Sequence, residues 1–155
     1  MAIETRTRIF NLKQEITKGG FMPIAEALAK HAPSQLGPSA GAGTSQTGQS
    51  TMDLPGYDVK FLVEDENSKH LIEIVQIAPR QRKYRHRHGN AENVLVFLEG
   101  EGEYYPTMDS AVPVKAGDMA HALPGEVHGV GNTGDAPLYY LVVEGPMPME
   151  MDRLD

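Results

Sequence analysis

From residue 57 onward the chain is a succession of short strand-like runs, at 57–64, 70–78, 83–88, 94–98, 103–105, 111–115, 119–123, 127–130 and 138–144. Turn residues separate them: Asp65-Glu66-Asn67, Gly89-Asn90, Gly100-Glu101-Gly102, Gly117-Asp118 and Asn132-Thr133-Gly134-Asp135. Strands this short and this evenly spaced bury their apolar faces as a sandwich, a barrel or a double-sheet jelly roll, and the fold class predicted is all-β. The runs 70–78 and 138–143 are apolar on both faces. One face can fill the interior; the other calls for a second sheet, an N-terminal helix or a partner subunit, so a homodimer is expected.

Upstream, the pattern Phe-Met-Pro-Ile-Ala-Glu-Ala-Leu-Ala-Lys-His predicts a helix over 21–31, with Ile24, Ala27, Leu28 and His31 on one face. Pro23 is tolerated in its first turn and Pro33 ends it. His31 reads as a packed surface histidine. Residues 34–51, rich in Gly, Ser, Thr and Ala, read as a long loop or arm, with a lid over a pocket as the alternative. The expected organisation is an N-terminal extension over 1–55, a barrel over 56–146 and a tail over 147–155. Met147, Met149 and Met151 alternate in that tail and predict packing against a surface, a partner's included.

The 155 residues are expected to form one domain with a core that needs no covalent staples. There is no cysteine, which removes disulfides, thiolate zinc sites and thiol catalysis. A net charge of -7 argues against general nucleic-acid binding. The longest apolar run, 94–98, is far short of the roughly 20 residues a bilayer span needs, and 1–10 lacks a signal-peptide core, so a cytoplasmic protein is expected. Arg80, Arg82, Lys83, Arg85 and Arg87 depart from the acidic balance and read first as a solvated strand face.

Within that basic run stand His86 and His88, two residues apart and so on one side of a strand, followed after the Gly89-Asn90 turn by Glu92. A further histidine, His128, follows the Pro124-Gly125 turn, and a closed barrel can bring it to face the first pair. Imidazole and carboxylate together suit a divalent ion: Fe, Mn, Zn, Ni or Cu. Burying three imidazoles without a common partner would leave polar atoms unsatisfied, which favours the metal over a packed core. Period two puts Arg82 and Tyr84 on the histidines' side and Arg85 and Arg87 opposite; Arg82 would stand at the mouth of any pocket. His121 reads equally as a pocket residue and as ordinary packing.

Taken together these residues resemble the cupin superfamily, whose first motif is Gly-x5-His-x-His-x3-4-Glu-x6-Gly and whose second is Gly-x5-Pro-x-Gly-x2-His-x3-Asn. His86, His88, Glu92 and Gly100 follow the first; Gly117, Gly125, His128 and Asn132 follow the second. The resemblance covers about 57–145 and implies a double-stranded β-helix barrel with a divalent metal on His86, His88, Glu92 and His128. Arg80 occupies the first motif's Gly position, and Pro124 lies one residue late. Counting forward from His88 gives Glu92 as the carboxylate; counting back from Gly100 gives Asn93. Strand parity does not decide, because Val94, Val96 and Leu98 are as apolar as Leu95 and Phe97. Glu92 is preferred because a carboxylate holds a divalent ion better than an amide; with Asn93 inward the site is three-histidine.

The functional expectation is a metal-dependent enzyme, dioxygenase-like, acting on a small organic molecule through its carboxylate, enolate or hydroxyl, with Arg82 or Tyr84 placing it. The alternatives are a metal-dependent lyase, isomerase or decarboxylase on the same ligands, and a non-catalytic module that captures a small ligand.

Overall fold

The structure is a computed structural model and describes residues 8–24, 26–27, 57–63, 65 and 67–155. Among the described residues eleven strands form two antiparallel sheets. The larger runs β1 (Met22–Pro23), β2 (Tyr57–Val63), β3 (Leu71–Ile77), β10 (Leu138–Gly145), β5 (Glu92–Glu99), β8 (Met119–Ala122). The smaller runs β11 (Asp152–Arg153), β4 (Arg82–Arg87), β9 (His128–Gly131), β6 (Glu101–Tyr104), β7 (Val112–Lys115). The sheets share no strand, so the expected barrel is two facing sheets, not a cylinder closed by hydrogen bonds. Every strand-like run of the sequence overlaps one of β2 to β10.

The turns follow local chemistry. Gly100, between β5 and β6, has φ 90°, and a Cβ there would meet the Pro137 carbonyl oxygen at 2.8 Å, so only glycine fits without a shift. Asp118 closes the β7–β8 turn by accepting the Lys115 N–H at 2.8 Å. Arg80, where the family motif has glycine, has φ 62°, and its guanidinium grips Asp135 at 2.7 and 3.2 Å.

Along the strands the inward residues change character, and that change positions the site. β5 turns Phe97, Leu95 and then Asn93 inward; β10 turns Leu138, Tyr140, Val142 and then Glu144. Cross-strand pairing holds the two series level, Tyr140 opposite Phe97 and Glu144 opposite Asn93. With Val75, Ile77 and Val130 the apolar members form a core, to which a fully buried Phe or Tyr contributes about 1.5–3 kcal/mol each. The other end of the intersheet space is polar: Glu73, Lys83, His86, His88, Asn93, His128 and Glu144 are all buried.

Two expectations change in the N-terminal part. A helix absent from the sequence reading, α1 (Leu12–Lys18), is capped by the Asn11 side chain accepting the Gln14 N–H and ended by Gly19. It buries no residue, and therefore left no apolar stripe to read. Met22 and Pro23, assigned to the next helix, instead pair with Val59 and Asp58 as an edge strand, where a missing proline N–H breaks no ladder. Ile24, Glu26 and Ala27 are helical, with Ile24 and Ala27 in the core. The rest of that helix, His31 included, and the arm at 34–51 lie outside the described residues. No helix among the described residues is long and apolar enough to cross a membrane. The methionine tail returns to its own chain: Met149 packs with Leu71 and Ala91, and Met147 and Met151 lie against the same cluster.

Candidate metal centre

β4 and β9 are antiparallel neighbours, and His86 stands directly opposite His128 across the ladder. His88, just past β4, completes the group; ring centroids are 4.2 Å apart for His86–His128, 5.0 Å for His86–His88 and 5.2 Å for His88–His128. One ligand nitrogen from each lies within 4.8 Å of the other two. Backbone carbonyls orient all three rings, Nδ1 facing the oxygen of Tyr84 at 3.1 Å for His86, of Glu150 at 2.7 Å for His88 and of Glu126 at 3.2 Å for His128. An Nδ1–H donating to a carbonyl fixes the tautomer and leaves the Nε2 lone pair free, the arrangement that metal-binding imidazoles adopt.

Electrostatics keep these rings neutral. Burial pushes His86 well below the usual imidazole range, with the neighbouring His128, Lys83 and His88 adding to it. Burial brings His128 down to about 3, helped by His88. Burial also lowers His88, against the opposing charge of Glu144. The Nε2 of His88 is buried and has no hydrogen-bond partner. A neutral, oriented, unpartnered nitrogen beside two more is the donor set of a divalent ion with bonds of about 2.0–2.2 Å, so the residues present fit a metal.

β5 settles which side chain accompanies the histidines. Its buried positions are Asn93, Leu95 and Phe97, so Asn93 points inward and Glu92 outward. Asn93 Nδ2 lies 3.0 Å from His128 Nε2 and donates to Glu144 Oε2 at 2.9 Å, while its Oδ1 is buried without a partner. Glu92 is exposed, and its carboxylate meets His121 Nε2 at 2.8 Å on the outer surface. The structure therefore brings His86, His88 and His128 together with Asn93, and leaves Glu92 and His121 outside.

The basic strand also differs from its alternating reading. The β4–β9 register shifts between Lys83 and His86, three residues on β4 spanning two on β9. This bulge turns Lys83 inward and leaves Arg82 exposed, bound to Asp155 at 3.0 Å, so Arg82 does not stand at the pocket. Tyr84 does line the cavity beside the histidines, 5.2 Å from the His86 ring, with its hydroxyl 3.4 Å from that of Tyr57. The cavity is about 40 Å³ and is walled by Lys83, Tyr84, His86, His88, Glu73 and Glu144, with Met149 and Met151 of the tail. A volume of that kind holds about three waters, or a ligand of a few heavy atoms.

Glu73, Glu144 and Lys83 were not singled out by sequence reasoning. A lone carboxylate inside Leu71-Ile72-Glu73-Ile74-Val75, and another closing Leu141-Val142-Val143-Glu144, was the available signal. Burial, and then the charge of Glu144, raise the Glu73 carboxyl to about 8 against the opposing effect of Lys83. Burial works against the charge of Lys83, but Tyr140, Glu144, Tyr84 and Glu73 outweigh it, and its ammonium stays protonated.

Residues 73–144 match the family described as Cupin domain, which supports the cupin superfamily for this part of the chain. It is 31% identical over 77 residues to the oxalate-binding protein of Thermotoga maritima, an alignment covering 50% of this chain and 63% of that protein, just under two thirds of its length. Among solved structures it is similar to a conserved protein with a double-stranded β-helix domain from Klebsiella pneumoniae, with TM-score 0.57 and 27% identity over 63% of this chain and 84% of that one. It is likewise similar to a predicted oxalate decarboxylase from Thermotoga maritima, with TM-score 0.54 and 28% identity over 58% and 80% of the two chains.

Proposed function

We propose that His86, His88 and His128 hold a divalent metal ion and that the protein is a metal-dependent enzyme acting on a small organic acid or enol, dioxygenase-like in its chemistry. The observation that carries this reading is the set of three neutral imidazoles, each turned by a backbone carbonyl so that Nε2 keeps its lone pair, that of His128 meeting the Asn93 amide, beside a small cavity. A bound ion would supply Lewis-acid polarisation of an oxygen ligand and, for iron or manganese, access to redox chemistry. Three protein nitrogens leave coordination positions for substrate, as catalytic sites do. The chain's own contribution is to orient: the Asn93 amide meets the edge of the His128 ring, and Tyr84, Met149 and Met151 line the cavity beside the histidines. Glu92, on the outer surface with His121, takes no part in this reading.

The likeness to an oxalate-binding protein and to a predicted oxalate decarboxylase favours a second reading, capture or non-oxidative cleavage of a small dicarboxylate at the same ligands. Elemental analysis of protein purified without a metal-affinity step, followed by oxygen uptake against small acids and enols, separates the two. Stoichiometric iron or manganese with substrate-dependent oxygen consumption supports the first reading. Metal with acid binding and no oxygen uptake supports the second, and protein that takes up no added metal overturns both.

A further inference from the structure

Among the described residues Lys83 is the one cation lining the inner cavity, and it arrives there through the β4 bulge that breaks strand alternation. Bulges of this kind re-aim side chains beside functional sites. Lys83 is only 9% exposed, and its ammonium has neither a hydrogen bond nor an ion pair among the described residues; it lies over the face of the Tyr57 ring, 5.1 Å from the centroid. Its electrostatic neighbour Tyr140 carries a buried hydroxyl that is also without a partner. The carboxylates of Glu73 and Glu144 favour its charge from a distance but do not contact it, so its N–H donors are left for an occupant of the cavity.

Resting on the metal reading above, we infer that Lys83 is the second anchor of the site, receiving the distal carboxylate of a small dianionic ligand whose proximal end lies at the three-histidine centre. The cavity joins the two poles, since Lys83, His86 and His88 line the same space. Glu73 and Glu144 line it too, but neither lies within 4 Å of the Lys83 ammonium, and Glu144 accepts the Asn93 amide. Even with both carboxylates ionised, a divalent ion plus Lys83 leaves the cavity net positive. The about 40 Å³ available selects short acids, in which the two carboxylates are separated by at most a carbon or two.

The test uses the full chain loaded with zinc, which is redox-silent, with metal content measured on every sample and binding followed by calorimetry. Oxalate is expected to bind at least tenfold more tightly than its uncharged-ended isostere oxamate. Lys83→Met is expected to lose at least tenfold in oxalate affinity, to hold acetate within twofold of the wild type, and to keep its zinc. Lys83→Arg is expected to recover part of the oxalate affinity, which a packing role would not produce. Equal binding of oxalate and oxamate by the wild-type protein overturns the proposal without any substitution. So does an unchanged oxalate affinity in Lys83→Met. Should the protein fail to retain zinc, the metal reading fails separately; the oxalate–oxamate ratio of the metal-free protein then still decides whether Lys83 reads the charge.

Discussion

Replacing Asn93 by aspartate puts an anionic oxygen where an amide now donates. Asn93 Nδ2 stands 2.9 Å from Glu144 Oε2, and both residues are buried. Two unit charges at that separation repel by about 6 kcal/mol at an effective dielectric of about 20. The pair escapes by keeping one proton; driving a carboxyl from its ordinary value of about 4 to above 7 costs about 4 kcal/mol at neutral pH, which caps the penalty. Metal-free Asn93→Asp is therefore expected to lose about 3–4 kcal/mol at pH 7, a large share of the 5–15 kcal/mol by which domains are stable. An acid whose folded pKa is raised destabilises fully above that pKa and not at all below its unfolded value. The loss should thus shrink by about 2.7 kcal/mol between pH 7 and pH 5. Asn93→Ala removes the same hydrogen bonds without adding charge and should cost about 1–3 kcal/mol at both pH values. Urea unfolding of chelator-treated protein reads all of these. Asn93→Asp within 1 kcal/mol of wild type at pH 7, or equally destabilised at pH 5, would refute the placement of the amide against Glu144.

Further expectations concern the ligands, the buried acid and one backbone position. His86→Ala or His128→Ala should abolish stoichiometric metal while circular dichroism stays that of a β protein, whereas Glu92→Ala, whose carboxylate meets His121 on the outer surface, should leave metal content unchanged. Metal loss in Glu92→Ala would return that carboxylate to the site. Because burial holds Glu73 near 8, against 4.5 when unfolded, folding stability should fall from pH 6.5 to 8 by up to about 1.4 kcal/mol per unit, and Glu73→Gln should flatten that slope. The depressed histidines act the other way, their contribution being lost only as pH falls below 6.5, so the two effects separate in chemical denaturation run on either side of that value. At Arg80, φ 62° favours glycine: Arg80→Gly should be more stable than Arg80→Ala by about 1 kcal/mol in thermal or urea unfolding, since both lose the exposed Asp135 pair equally.

The sheets were legible because alternation and turn chemistry are local. Nine strand-like runs reappear as β2 to β10, and His86, His88 and His128, grouped in the sequence by strand parity, the Pro124-Gly125 turn and the family resemblance, lie together. What escaped was non-local. β5 is apolar on both faces, so its parity, and with it the choice between Glu92 and Asn93, was set by the pairing of Asn93 with Glu144 on a strand 51 residues away. Lys83 was hidden by a bulge, which shifts parity without changing composition. Glu73 and Glu144 did carry a signal, since a carboxylate within an apolar strand demands a reason.

The carbonyl of Glu150 that holds His88 bears on the order in which the molecule is assembled. Three polar links of the centre join residues 62, 51 and 35 positions apart, from His88 to Glu150, Asn93 to Glu144 and Asn93 to His128. Contacts so distant along the chain close late, after loop entropy has been offset by strand pairing. Local carbonyls orient His86 and His128, but a centre that these distant contacts must bring together is a product of folding and not its nucleus. Where a zinc finger collapses around its ion, this sheet pair would finish first and take up its ion afterwards, so added metal should slow unfolding while leaving the refolding rate as it was.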